Sequence, residues 1–150
     1  MTQIHRFVET LRLGNDPKMV ARMGSGWAVM GSQQVVGGYC LLLPDPVVPH
    51  LNALGERDRV QFLGDMSRLG DAILEVTGAE RINYEMLGNL EPALHCHLFP
   101  RRLDEPESLR TRPIWFYEWD LAEAWSEESH GSLRDAIRET LARNGASEHL

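Results

Sequence analysis

A chain of 150 residues with 43% hydrophobic and 25% charged side chains has room for one domain with a real core, and little for a second. Its net charge of −7, with Lys18 the only lysine, argues against the basic face that polymeric nucleic acid requires, while a small anion can still be held by a local arginine. No apolar run approaches the ~20 residues of a membrane helix, the N-terminus lacks the plan of a signal peptide, and Cys40 and Cys96 show no CxxC spacing; a cytosolic protein with reduced thiols is expected.

In chain order, Ile4, Phe7, Val8 and Leu11 repeat at helical spacing over residues 4–13, ended by Gly14-Asn15-Asp16-Pro17. Residues 27–30 and 39–44 read as strands, joined through a tight turn at Gly37-Gly38. A proline-rich loop follows, then a long helix from Glu56 to Val76 that Gly78 ends. Residues 81–87, 93–99 and the aromatic run 113–119 are strand candidates. The C-terminal helix is expected over 132–143, with Ser132 and Asp135 resembling a capping box and Asn144-Gly145 closing it. This order implies an α+β fold with a largely antiparallel sheet of about five strands, in one domain spanning 1–150.

Chemistry concentrates in "ALHCHLFPRR", residues 93–102. On a strand Ala93, His95, His97 and Phe99 share one face, and the apolar Leu94, Cys96 and Leu98 share the other. The apolar set should pack on the helices, so Cys96 is a buried hydrophobe and the histidines project together on the opposite side. Three readings of that pair stand side by side: polar decoration of a wet face, part of a metal site, or a nucleophile with its helper. Metal is the weaker of the two chemical readings. A zinc site needs three or four protein ligands, and His5, His50, His130 and His149 are scattered.

The run "INYEMLGNLEPALHCHLFPRR" resembles the signature of the histidine-triad family, closest to the branch of diadenosine-polyphosphate hydrolases and related nucleotide hydrolases. Asn83, Gly88, Asn89, Pro92, His95, His97, Pro100 and Arg101 fall in register with it, and the likeness spans roughly residues 20–102, leaving a C-terminal extension over about 120–150. The resemblance implies a histidine-triad-like fold, a homodimer, a small nucleotide as substrate, and no cofactor or metal. It implies His95 as the nucleophile at the α-phosphorus and His97 as its phosphate-contacting neighbour. Asn83, Asn89 and Arg101 would support substrate, and Tyr39 stands where the family has a histidine after the glycine turn. Two further positions depart from the pattern: Ala93 replaces the first histidine, and Gly31 replaces a ribose-contacting asparagine. The resemblance therefore leaves two functions open, a hydrolase or transferase working through a nucleotidyl-histidine, and a non-catalytic nucleotide-binding protein. Outside the pair, His50 reads as a loop histidine with a catalytic role as the alternative, Arg101 and Arg102 as phosphate-steering or as partners of Asp104 and Glu105, and the 115–119 aromatics as core or dimer seam, with a ring lining the nucleotide pocket as the alternative.

Overall fold

Five antiparallel strands form one sheet in the order β1-β2-β3-β5-β4, in a computed structural model that describes residues 1–148. The elements are α1 (Gln3–Arg12), β1 (Met19–Met23), β2 (Gly26–Met30), β3 (Cys40–Pro44), α2 (Glu56–Thr77), β4 (Arg81–Glu85), β5 (Cys96–Arg101) and α3 (Glu127–Arg143). Period-two alternation sorts the sheet's two faces. Ala28, Met30, Cys40, Leu42, Cys96 and Leu98 meet Phe62, Leu69 and Ile73 of α2 and Ile137 and Leu141 of α3 in the main core. On the other face, Trp27, Val29 and Leu43 are covered by Ile4, Val8 and Leu11 of α1, and Ala93 packs with them. The next rows of that face, at β3 and β5, carry Tyr39 and Phe99 against Ile114.

The number of strands is as expected, but one of the five is not the expected one. Residues 113–119 do not form a strand: they turn twice in 3₁₀ form, at Ile114–Phe116 and Trp119–Leu121. Pro113 supplies the carbonyl for the Phe116 N–H, and Ile114 sinks into the face as an anchor. Ring-on-ring packing over the sheet face, not β pairing, accounts for the aromatic density that read as alternation. The fifth strand is β1, which pairs with β2 through a Gly24-Ser25 hairpin turn that the sequence reading passed over.

Residues 31–39 between β2 and β3 make a loop, not the expected tight turn at Gly37-Gly38. Buried Gln34 folds this loop from within, its amide donating to the Gly31 and Tyr39 carbonyls and accepting from the Gly38 N–H. Helix α3 begins five residues before the expected start, with Ser126 capping the Ser129 N–H, so Ser132 lies inside the helix. The ends at Gly78 (φ 66°) and at Asn144-Gly145 (φ 68°) are as expected.

The two sheet edges differ. Arg138 of α3 donates to the Met19 and Val20 carbonyls and the Glu148 N–H to that of Arg22, so β1 is covered. The outer edge of β4 pairs with no strand among the described residues.

Candidate functional site

Because Cys96 and Leu98 point into the helical core, His97 and Phe99 point to the opposite face, and His95 stands just before β5 on that same side. The two imidazole rings lie edge to face, centroids 4.9 Å apart. His95 Nδ1 is 2.7 Å from the Ala93 carbonyl oxygen. A carbonyl only accepts, so Nδ1 carries the proton and Nε2 keeps its lone pair. His97 Nδ1 is 2.7 Å from the Tyr39 hydroxyl. Burial pushes the Tyr39 phenol well above its usual range, with Cys40 and Glu85 adding to the shift. The hydroxyl therefore stays protonated and, with no other acceptor among the described residues, donates to Nδ1, which puts His97's own proton on Nε2. The pair thus offers a lone pair on one ring and an N–H on the other, which suits attack on phosphorus beside a donor to its oxygens.

His97 is held neutral. Burial, then the neighbouring His95, push its pKa down to about 4. A proton that binds the unfolded imidazole near ~6.5 but the folded one near 4 leaves the unfolded state binding more protons between those values. Stability is therefore unpenalised above pH ~6.5, falls by about 3 kcal/mol as pH drops through the window, and is flat below it as far as this group is concerned. Urea unfolding at several pH values should show that loss in the wild type and not in His97→Gln. Parallel profiles for the two proteins would rule it out.

Tyr39 and Gly31 are one feature. A Cβ built on Gly31 would stand 2.2 Å from the Tyr39 ring. Any side chain there displaces the phenol that positions His97, so the two departures from the family pattern require each other. Gly31→Ala should cost about 1–3 kcal/mol by overpacking. It should also free His97 to titrate closer to its ordinary value, read from imidazole proton shifts in NMR; an unmoved His97 would contradict the coupling.

The other residues singled out in the sequence do not all converge here. Arg101 is buried and fully committed. Its guanidinium meets Glu105 (3.1 Å), Asn83 Oδ1 (2.9 Å) and the carbonyls of Arg112 (2.8 Å), Leu109 (3.1 Å) and Arg110 (3.5 Å). No N–H remains for a phosphate, so Arg101 holds the loop 102–113 rather than contacting substrate. Asn83 shares the histidine face one row further along but spends its oxygen on Arg101. Asn89 sits exposed in the turn before β5, with no side-chain hydrogen bond among the described residues. Burial pushes the Cys96 thiol up to about 12 and Cys40 still higher, consistent with inert core cysteines. Among the described residues no three His, Cys, Asp or Glu side chains gather as a metal site would require; His149 lies outside them.

Three neighbours complete the surroundings of the pair, and only Glu85 among them was not singled out in the sequence. Trp115, 43% exposed, stands edge-on to His97 at 5.5 Å and stacks on Trp119 at 5.2 Å. Glu85 is the cross-strand partner of His97, with one buried carboxylate oxygen lacking a partner. His50 lines a cavity of about 230 Å³ beside His95, together with Asn52, Gly88 and Ala93. A β4–β5 register would have revealed Glu85 from the sequence; Trp115 and His50 arrive on loops, where periodicity carries no signal.

No protein-family model and no curated protein matches this chain. Solved structures do. A histidine-triad protein from Sinorhizobium meliloti superposes with a TM-score of 0.71 at 26% identity, over 87% of this chain and 94% of that one. The fold is that of the histidine-triad proteins. A second, from Marinobacter aquaeolei, reaches 0.74 at 18% identity over 95% and 98% of the two chains. A hypothetical histidine-triad nucleotide-binding protein from Sulfolobus tokodaii gives 0.71 at 15%, covering 92% of each. In this chain the 3₁₀ turn Ile114–Phe116 that follows the sheet brings Trp115 to His97.

Proposed function

We propose that the protein is a nucleotide hydrolase or transferase that cleaves a phosphoanhydride or phosphoramidate bond at the α-phosphorus of a nucleoside monophosphate. The observation that carries this reading is the complementary protonation of the pair, with His95 Nε2 free to attack and His97 Nε2–H free to donate. The likeness to histidine-triad structures supports it, one of them named a nucleotide-binding protein. In the first step the Nε2 lone pair of His95 forms a P–N bond and the bond from phosphorus to the leaving group breaks. The leaving group takes its proton from water, while the neutral His97 Nε2–H donates a hydrogen bond to the phosphoryl oxygens as charge develops on them. Water then attacks phosphorus, the P–N bond breaks, and the nucleoside monophosphate departs with His95 restored; an alcohol or amine in place of water makes the reaction a transfer. Tyr39 is a positioning residue, and Asn83 offers its free amide to the substrate. Asn89 can reach a phosphate or the leaving group only if its turn closes over the site.

Ala93 has no side-chain group to take the role of the first histidine. Ala93 is buried against α1, and the Ala93 carbonyl, not its side chain, orients His95. We also propose that the open edge of β4 pairs with its copy in a homodimer, and that the protein works in the cytoplasm without a cofactor.

The test is to incubate the protein, with chelator present, with dinucleoside polyphosphates and nucleotidyl phosphoramidates, then quench in base and analyse peptides by mass. A nucleotidyl adduct on residues 93–102 together with product supports the reading. Binding without adduct or product on any member would instead identify a nucleotide-binding protein that keeps the fold without the chemistry.

A further inference from the structure

Past His97 the same sheet face opens into a cleft of about 520 Å³. Its near wall is Glu85, and its far end lies among Arg81 of β4 and Arg102, Arg110 and Arg112 of the loop that follows β5. Cross-strand partners have Cβ atoms about 5 Å apart, so Glu85 stands one side-chain width from His97. From Glu85 to Arg81 the strand runs about 13 Å. Arg101, in the floor, is neutralised by Glu105. The other four arginines have no ion-pair partner among the described residues. Arg81, Arg110 and Arg112 are exposed, and Arg102 is half-buried with one N–H on the Gly37 carbonyl. Four unpaired guanidiniums facing two carboxylates, Glu80 and Glu85, make a local positive excess in a chain whose net charge is −7.

The two ends ask for different chemistry. At the near end the buried Glu85 oxygen has no hydrogen-bond partner among the described residues, and only an N–H or O–H can satisfy it. At the far end planar guanidinium forks suit the oxygens of a phosphate. We infer that the cleft is the leaving-group site, and that the natural leaving group is bipolar: a hydrogen-bond donor beside the scissile bond, met by Glu85, and a phosphate group at its distal end, met by Arg81, Arg102, Arg110 and Arg112. This rests on the hydrolase reading above for the word "leaving"; the binding preference itself does not depend on cleavage.

Two matched compounds test it, the adenosine 5′-phosphoramidates of 6-aminohexanol and of 6-aminohexyl phosphate, which share the amine and differ in the distal phosphate. The wild-type protein should favour the phosphate-bearing compound by at least ~10-fold in kcat/KM. Calorimetric binding of both to His95→Ala, where no bond is broken, should show the same preference. The preference should shrink towards about one in Arg110→Ser/Arg112→Ser and, independently, fall in Arg81→Ser; these exposed positions should leave the melting temperature nearly unchanged, which checks folding. Equal affinity for the two compounds, or a preference that survives both variants, overturns the assignment. A binding preference that tracks the arginines without any turnover upholds the cleft and overturns the hydrolase reading instead.

Discussion

His95→Ala should reduce turnover by at least ~10³-fold while nucleotide affinity changes only a few-fold, because the bond to phosphorus is made by the group removed. His97→Asn should behave differently. It removes the Nε2–H that steadies charge on the phosphoryl oxygens but leaves the nucleophile, a loss of about 10²–10³. With a stable leaving anion such as p-nitrophenolate both defects should persist, since neither ring serves the leaving atom: His95→Ala abolishes adduct formation, and His97→Asn slows it. That contrast assigns the two rings their roles without reference to any relative. If His97→Asn forms the adduct as fast as the wild type, His97 is only a packing partner. If His95→Ala retains turnover, the nucleophile lies elsewhere, and His50 on the neighbouring cavity wall becomes the group to replace.

What the sequence could and could not convey follows from how each feature is encoded. The face assignment of Leu94, Cys96 and Leu98 against His97 and Phe99 depends only on strand alternation, and it was legible. So were α2 and its end at Gly78, where periodicity and a left-handed glycine agree. The 113–119 run failed because alternating aromatics look the same whether a sheet or a loop spaces them, and here two 3₁₀ turns lay the rings over the sheet face instead of along the free edge of β4. Strand β1 failed for the opposite reason: "MVARM" is short and its arginine interrupts the apolar pattern. At the site, residue type suggested His95 and His97, but their tautomers are set by the Ala93 carbonyl and the Tyr39 hydroxyl, contacts that no one-dimensional pattern records. Arg101 was legible as a phosphate contact or as a partner of Asp104 or Glu105, and only the positions of its N–H groups, all of them occupied, separate the two.

Arg101→Met should accordingly destabilise the fold by about 3–5 kcal/mol, the usual consequence of removing one member of a buried ion pair. Both side chains of the pair are nearly inaccessible, at 6% and 7% exposure. The methionine would leave Glu105 with only the Tyr117 hydroxyl and the Arg102 N–H, and would orphan the carbonyls of Leu109 and Arg112. At this chain length the loss corresponds to a drop in melting temperature of roughly 10 °C. Arg101→Met/Glu105→Leu should recover part of it, since an apolar pair avoids the stranded charge. The same measurement separates clamp from ligand. A phosphate-contacting arginine would raise KM and leave the melting temperature nearly where it was. A clamp does the reverse first: stability falls, and activity declines only because loop 102–113 no longer fixes Ile114, and with it Trp115 beside His97. Recovery of stability and turnover together in the double variant, with no arginine present, would show that the guanidinium serves the site through the loop it holds.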